Sequence, residues 1–212
     1  MTVAIVVLAR GTRTAKTRLR GALGPADRVR LATAMLDDVL AAAVGTGWPV
    51  LVVTDARAIA RRARIAGATT MIVTARGTRD AARRGVAKAE RDGADAVLIV
   101  SADLPFARTA DLRRIAAAGR HCEVVIVPDR RRSGTNAHYL RPPSRIAPRF
   151  GRGSFAAHHA AAGAGGRVLV IARLAVDIDT PADLALLRQT KRRAGPATRA
   201  AWNWSSLARA AR

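Results

Sequence analysis

Cysteine is nearly absent. Cys122 stands alone in 212 residues, so no disulfide can form within the chain, and no cysteine metal cluster either. That fits a reducing compartment, and the expectation is a cytoplasmic protein. Aromatic residues are only 3% of the chain, too few for the stacking platforms with which single-strand nucleic-acid binders hold bases. Acids are scarce, 15 against 37 Lys and Arg, and none follows Asp183. No apolar run approaches the ~18 residues of a spanning helix. The segment Met1–Arg10 carries no basic stretch ahead of its apolar run, so no signal peptide and no membrane partner is read.

What is present is charge of one sign. A net charge of +22 calls for an anionic ligand. The arginines are scattered over most expected helices instead of gathered in one run. Specific nucleic-acid binding is therefore not expected, and a small polyanion is. Half the residues are apolar, enough for a full core in one domain. Residues 1–190 read as that domain and residues 191–212 as a basic tail, broken by Gly195-Pro196 and carrying Trp202 and Trp204. Oligomeric state is left open, a homo-oligomer included.

Apolar runs alternate with helical periodicity. Strands are expected at Val3–Leu8, Val50–Val53, Thr70–Val73, Ala96–Val100, Glu123–Val127, Ala137–Leu140 and Val168–Ile171. Helices are expected from Gly24 to Val44 and over Asp55–Ala66, Asp80–Asp92, Thr109–Gly119, Phe155–Ala162 and Ala182–Lys191. This pattern predicts an α/β fold: three layers, a mostly parallel, mixed and twisted sheet, and helices on both faces. Ligands of such sheets sit at the carboxyl ends of the strands. Asp55, Asp103, Asp129 and Asp179 all follow expected strands.

The stretch from Asp177 through Thr180-Pro181-Ala182-Asp183 holds the densest chemistry. Asp177 and Asp179 lie two apart, so in extended chain both carboxylates point to one face. Hard cations such as Mg²⁺ take oxygen ligands and bridge carboxylates to phosphates. Asp103, in Ser101-Ala102-Asp103-Leu104-Pro105, is a third candidate. The same residues also read as a helix start, with Thr180 as cap, Pro181 in the first turn and Asp183 three residues on. After the first strand, Arg10, Arg13, Lys16 and Arg18 line a basic loop that can wrap phosphates. It is not a P-loop: Ala15 stands where glycine should precede the lysine, and Gly21, Gly24 and Pro25 interrupt the helix.

Together these segments resemble the 2-phospho-L-lactate guanylyltransferase family of coenzyme F420 biosynthesis, including members that use phosphoenolpyruvate. The family has the molybdenum-cofactor-guanylyltransferase-like fold, a nucleotide-diphospho-sugar-transferase-like Rossmann variant. The matching segments run from Ala15-Lys16-Thr17-Arg18-Leu19 through Ser101–Pro105, Pro128-Asp129-Arg130 and Ser133-Gly134-Thr135-Asn136-Ala137. They continue in Phe150-Gly151-Arg152-Gly153-Ser154-Phe155 and end at Asp177–Leu184. Two places depart from the family. Ala9-Arg10-Gly11-Thr12-Arg13 replaces a Val-Lys-Pro-Leu-like stretch, and Gly77-Thr78-Arg79-Asp80 replaces a Gly-Leu-Asn segment near the base.

The resemblance implies transfer of GMP from GTP to the phosphate of a small phosphorylated acid, with release of pyrophosphate. It implies Mg²⁺ on Asp103 and Asp179 with Asp177 as an adjunct. Lys16 and Arg18 would hold the leaving pyrophosphate, with Arg10 and Arg13 on the nucleotide and Asp80 reading guanine or capping its helix. Thr135, Asn136, Gly153 and Ser154 would hold the acceptor acid. His158 reads as a helix-surface histidine. The competing expectations are another nucleotidyltransferase of this fold, for a sugar phosphate or molybdopterin, and a non-catalytic basic nucleic-acid-binding protein.

Overall fold

In the computed structural model of the protein, residues 1–11, 16–74 and 76–202 are described. Seven strands form one sheet: β1 (Val3–Leu8), β2 (Val50–Thr54), β3 (Thr69–Ile72), β4 (Ala96–Ser101), β5 (Val124–Pro128), β6 (Thr135–Leu140) and β7 (Gly166–Val168). Their order is β3-β2-β1-β4-β6-β5-β7. All pairings are parallel except those of β6, which runs antiparallel between β4 and β5. Six strands therefore end at one edge, and β6 begins there. The expected mixed α/β sheet is the one observed.

The β1 residues alternate between the two faces of the sheet, as pleated strands require. Val3, Ile5 and Val7 pack in one core with α1 (Pro25–Val44), α2 (Arg57–Ile65) and α4 (Thr109–Ala118). Ala4, Val6 and Leu8 pack in the other, against α3 (Thr78–Arg91) and α5 (Ser154–Ala162). Gly85 lets α3 lie close on the sheet, since a Cβ there would stand 2.6 Å from Val6 Cγ1.

A third apolar cluster lies at the carboxyl edge. It joins Leu19, Phe106 and Ile178 to Leu184 and Leu187 of α6 (Pro181–Thr190) and to Ala201 and Trp202 of α7 (Pro196–Trp202). Residues 191–202 thus pack on the body, and Trp202 is buried. Trp204 lies outside the described residues.

The last strand differs most from expectation; the others keep their places with ends shifted by no more than two residues. The apolar run predicts a strand over Val168–Ile171, but β7 covers Gly166–Val168. Leu169 and Ile171 are buried in the core beyond the ladder, and the chain turns there, with Leu174 and Ala175 donating to the Ile171 carbonyl. Among the described residues, no helix is long and apolar enough to cross a membrane.

Candidate active site

Three loops at the carboxyl edge converge. Asp103 follows β4; Asp177 and Asp179 precede α6; Lys16 enters the short turn Thr17–Leu19. Carboxylate oxygens of Asp103, Asp177 and Asp179 all lie within 4.8 Å of one another. Lys16 Nζ donates to Asp103 Oδ2 at 2.6 Å and to Asp179 Oδ1 at 2.7 Å. Its side chain is only 6% exposed. Lys16 also adopts a left-handed backbone, φ 56°, a conformation that costs a non-glycine residue free energy and collects at functional sites.

The electrostatics follow from this crowding. Burial works against the Lys16 ammonium, but the charges and hydrogen bonds of Asp103 and Asp179 outweigh it and hold its pKa above the ordinary lysine value. Asp177 is pushed up to about 6, first by burial and then by Asp103 and Asp179; the Asn136 amide, 3.4 Å from Asp177 Oδ1, pulls the other way. Three acids around one ammonium make a cluster of hard oxygen donors that is itself net negative. That donor set fits a divalent cation.

Two cavities meet at Asp179. The larger, ≈ 390 Å³, is walled by Arg10, Lys16, Leu36, Ile59, Thr78 and Asp103. The smaller, ≈ 100 Å³, holds Arg18, Arg130, Arg131, Ser133, Asp177 and Thr180. Arg18 therefore faces the smaller cavity and not the one that Lys16 and Arg10 line. Arg130 and Arg131 are missing from the candidate residues read from sequence. Their place depends on contacts distant in the chain: Arg130 N–H donates to the Ala175 carbonyl at 2.8 Å, and both guanidiniums meet Asp183. Asp129, by contrast, is spent on its own turn, accepting from Ser133 N–H, Ser133 Oγ and Gly134 N–H.

Thr180 and Asp183 form a capping box at the start of α6. Capping and convergence of the acids thus coexist: Asp183 closes the helix, while Asp177 and Asp179 face Asp103.

Behind Asp177 stands a buried polar network. Asn136 Nδ2 donates to the Leu174 carbonyl at 2.9 Å, and Thr135 N–H donates to Ser154 Oγ at 2.9 Å. His158 is not on a helix surface but fully buried. Its Nε2 accepts from Arg149 N–H at 2.7 Å, so Nδ1 carries the proton toward Thr135 Oγ1 at 2.9 Å. Burial, then Arg149 and Arg79, lowers its pKa to about 4. The side chains of Thr135, Asn136 and Ser154 are thereby engaged within the protein. The cap of α5 is Gly153, φ 71°, so Ser154 is not the N-cap. The turn at residues 151–153 is exposed, and neither it nor Thr135, Asn136 or Ser154 is among the residues that line the two cavities.

Asp80 is not brought to these cavities. It sits in the first turn of α3, which opens at Gly77 with φ 96°. Its carboxylate accepts from Arg76 N–H at 3.3 Å and Arg84 Nε at 3.0 Å. It lines a separate surface groove with Arg83, Pro143 and Ile146. Asp80→Ala is thus expected to leave the preference for GTP over ATP unchanged and to weaken only the start of α3. A nucleotide-competition assay beside a thermal melt checks this; a collapsed GTP preference would return Asp80 to base reading. Arg13 lies outside the described residues.

Residues 1–189 match the family model described as guanylyl transferase CofC like. The chain belongs to this guanylyltransferase family. It is accordingly a nucleotidyltransferase. A phosphoenolpyruvate guanylyltransferase of Sphaerobacter thermophilus is 41% identical over 190 residues, covering 87% of this chain and 91% of that one. A 2-phospho-L-lactate guanylyltransferase of Halorubrum lacusprofundi is 37% identical over 187 residues, 86% and 82% of the two chains. In fold, a solved nucleotide-diphospho-sugar transferase homologue from Desulfovibrio desulfuricans superposes with a TM-score of 0.75 at 18% identity, over 95% of this chain and 94% of that one. A Mycobacterium tuberculosis protein solved in complex with manganese superposes at 0.58 with 22% identity, over 90% of this chain and all of that one. The family's shared reaction needs a nucleotide, an acceptor and neutralised phosphate charge, and the carboxylate cluster stands between two cavities of unequal size.

Proposed function

We propose that the protein transfers GMP from GTP to the phosphate of a small phosphorylated carboxylic acid, phosphoenolpyruvate or 2-phospho-L-lactate, within coenzyme F420 biosynthesis. The observation that carries this is the Asp103–Asp177–Asp179 cluster, with Lys16, between two cavities in a chain of this family. The larger cavity takes the nucleotide, with Arg10 and Lys16 on its phosphates. The smaller takes the acid, whose two anionic groups suit the guanidiniums of Arg18, Arg130 and Arg131. Asn136, at the start of β6, reaches Asp177 on that cavity's lining.

An acceptor phosphate oxygen forms the new bond to the α-phosphorus, the bond from that phosphorus to the β-phosphate bridging oxygen breaks, and pyrophosphate leaves. The attacking phosphate is already ionised, so no strong base is required. The difficulty is bringing anions together, and the protein contributes positive charge and in-line placement. Asp103, Asp177 and Asp179 would hold Mg²⁺, which neutralises phosphate charge when bound. Lys16 stabilises the leaving pyrophosphate. Asn136 orients Asp177, and the Thr135–Ser154–His158 network fixes the strand on which Asn136 stands.

Pyrophosphate release with GTP, Mg²⁺ and a panel of phosphoenolpyruvate, 2-phospholactate and 3-phosphoglycerate tests the reading. Release with one of the first two acids supports it, and no release with any acid contradicts it. Ser154→Ala separates an acceptor role from a scaffold role. Removing Ser154 Oγ leaves the buried Thr135 N–H without its partner, an expected loss of about 1–3 kcal/mol in urea unfolding. If Ser154 also receives the acid, the acceptor's KM rises roughly tenfold while that of GTP holds. An unaltered acceptor KM confines Ser154 to holding β6.

A further inference from the structure

The family match ends at residue 189, yet the chain beyond it is tied to the loops that carry the acids. Gly195 N–H donates to the Pro105 carbonyl at 2.7 Å, two residues past Asp103. Arg108, on the same loop, reaches back to the carbonyls of Arg193 at 2.7 Å and Ala194 at 3.3 Å. From the other side, the buried Asp38 carboxylate of α1 accepts from Ala197 N–H at 3.0 Å and Thr198 N–H at 2.9 Å. A Cβ at 195 would stand 2.0 Å from Asp38 Cγ, so any side chain there must displace the carboxylate that holds Ala197 and Thr198.

Ala194, Ala201 and Trp202 then complete the cluster that contains Leu19, Phe106 and Ile178. Each of those three belongs to a loop bearing a candidate catalytic group. Leu19 lies three residues after Lys16, Phe106 three after Asp103, and Ile178 between Asp177 and Asp179. Leu19 and Ile178 are fully buried.

We propose that residues 191–202 form a positioning strap: Gly195 and Trp202 fix the mutual placement of the Lys16, Asp103 and Asp177–Asp179 loops without touching substrate. This rests on the assignment of those residues to guanylyl transfer. The strap acts by two routes, the hydrogen bonds to Pro105 and Arg108 and the shared apolar cluster. Reacting groups displaced by about 1 Å lose up to about a hundredfold in rate, so a support of this kind is felt in turnover before it is felt in affinity.

Gly195→Ala, which drives the strap off Asp38, and Trp202→Ala, which empties its end of the cluster, test this in the full-length chain. Amide hydrogen exchange is the reading independent of activity. Exchange over residues 101–108 and 176–180 is expected to quicken at least about tenfold, with β1 and β2 as protected as in the unaltered protein. Pyrophosphate release is expected to show kcat lowered about tenfold to hundredfold, with the KM of GTP changed less than about threefold. Faster exchange confined to α1 and residues 191–202 would overturn the strap, as would unaltered kcat. Global unfolding of Gly195→Ala would also overturn it, by making the segment part of the general core. If the unaltered protein releases no pyrophosphate, the functional reading fails, and exchange at the acid-bearing loops still decides the strap.

Discussion

Asp103→Asn is expected to lower turnover at least about a thousandfold, the several kcal/mol a bound divalent ion supplies to phosphoryl-type transition states. Folding should hardly notice. The asparagine carbonyl still accepts from Lys16, and Asp179 still pairs with its buried ammonium at 2.7 Å, so the lysine is not left without a counter-charge. The substitution also removes the Asp103 charge, which after burial itself does most to raise the Asp177 pKa. The Asp177 pKa should then fall from about 6 toward the ordinary carboxylate range. Carboxyl-carbon NMR on the metal-free protein, beside steady-state pyrophosphate release, measures both. Near-normal turnover would reduce Asp103 to a loop residue.

Lys16→Met should give the second large effect, a loss of about a hundredfold to a thousandfold in kcat, as for removal of a donor aimed at developing phosphate charge. It carries a second signature. The Lys16 ammonium and a divalent cation draw on the same two carboxylates, since both Asp103 and Asp179 are within 2.7 Å of Nζ. With the ammonium gone, Mg²⁺ meets no competitor. Ligands that bind only the folded state raise stability in proportion to their affinity. Mg²⁺ should therefore raise the melting temperature of Lys16→Met more than that of the unaltered protein. Equal shifts would mean that the cation and Lys16 do not share the acids.

Much of this arrangement is readable from the chain. The strand–helix alternation alone sets most of the sheet, and the carboxyl-end rule then gathers Asp103 and Asp179 at one edge. The two-residue spacing of Asp177 and Asp179 puts them together within one loop. What is not readable depends on contacts between distant segments. Nothing in Thr135–Leu140 says that β6 runs antiparallel between β4 and β5, and that placement is what sets Asn136 against Asp177. His158 looks like a helix-surface residue because Phe155–Ala162 has little amphipathic pattern; only Thr135 and Arg149 reveal its buried role. Arg18 lies two residues from Lys16 in the chain, yet the two line different cavities. Asp80 lies away from the two cavities because the chain enters α3 through Gly77, and its carboxylate turns back onto Arg76 and Arg84.

The most direct test uses phosphoenolpyruvate, or 2-phospholactate, labelled with oxygen-18 in its phosphate. It is incubated with GTP, Mg²⁺ and the protein, and the products are weighed by mass spectrometry. Guanylyl transfer at the Asp103–Asp177–Asp179 site predicts one mixed diphosphate per pyrophosphate, all label retained in the mixed diphosphate and none in the pyrophosphate, and no product from Asp103→Asn. Labelled pyrophosphate, or no coupled product with either acid, would contradict it.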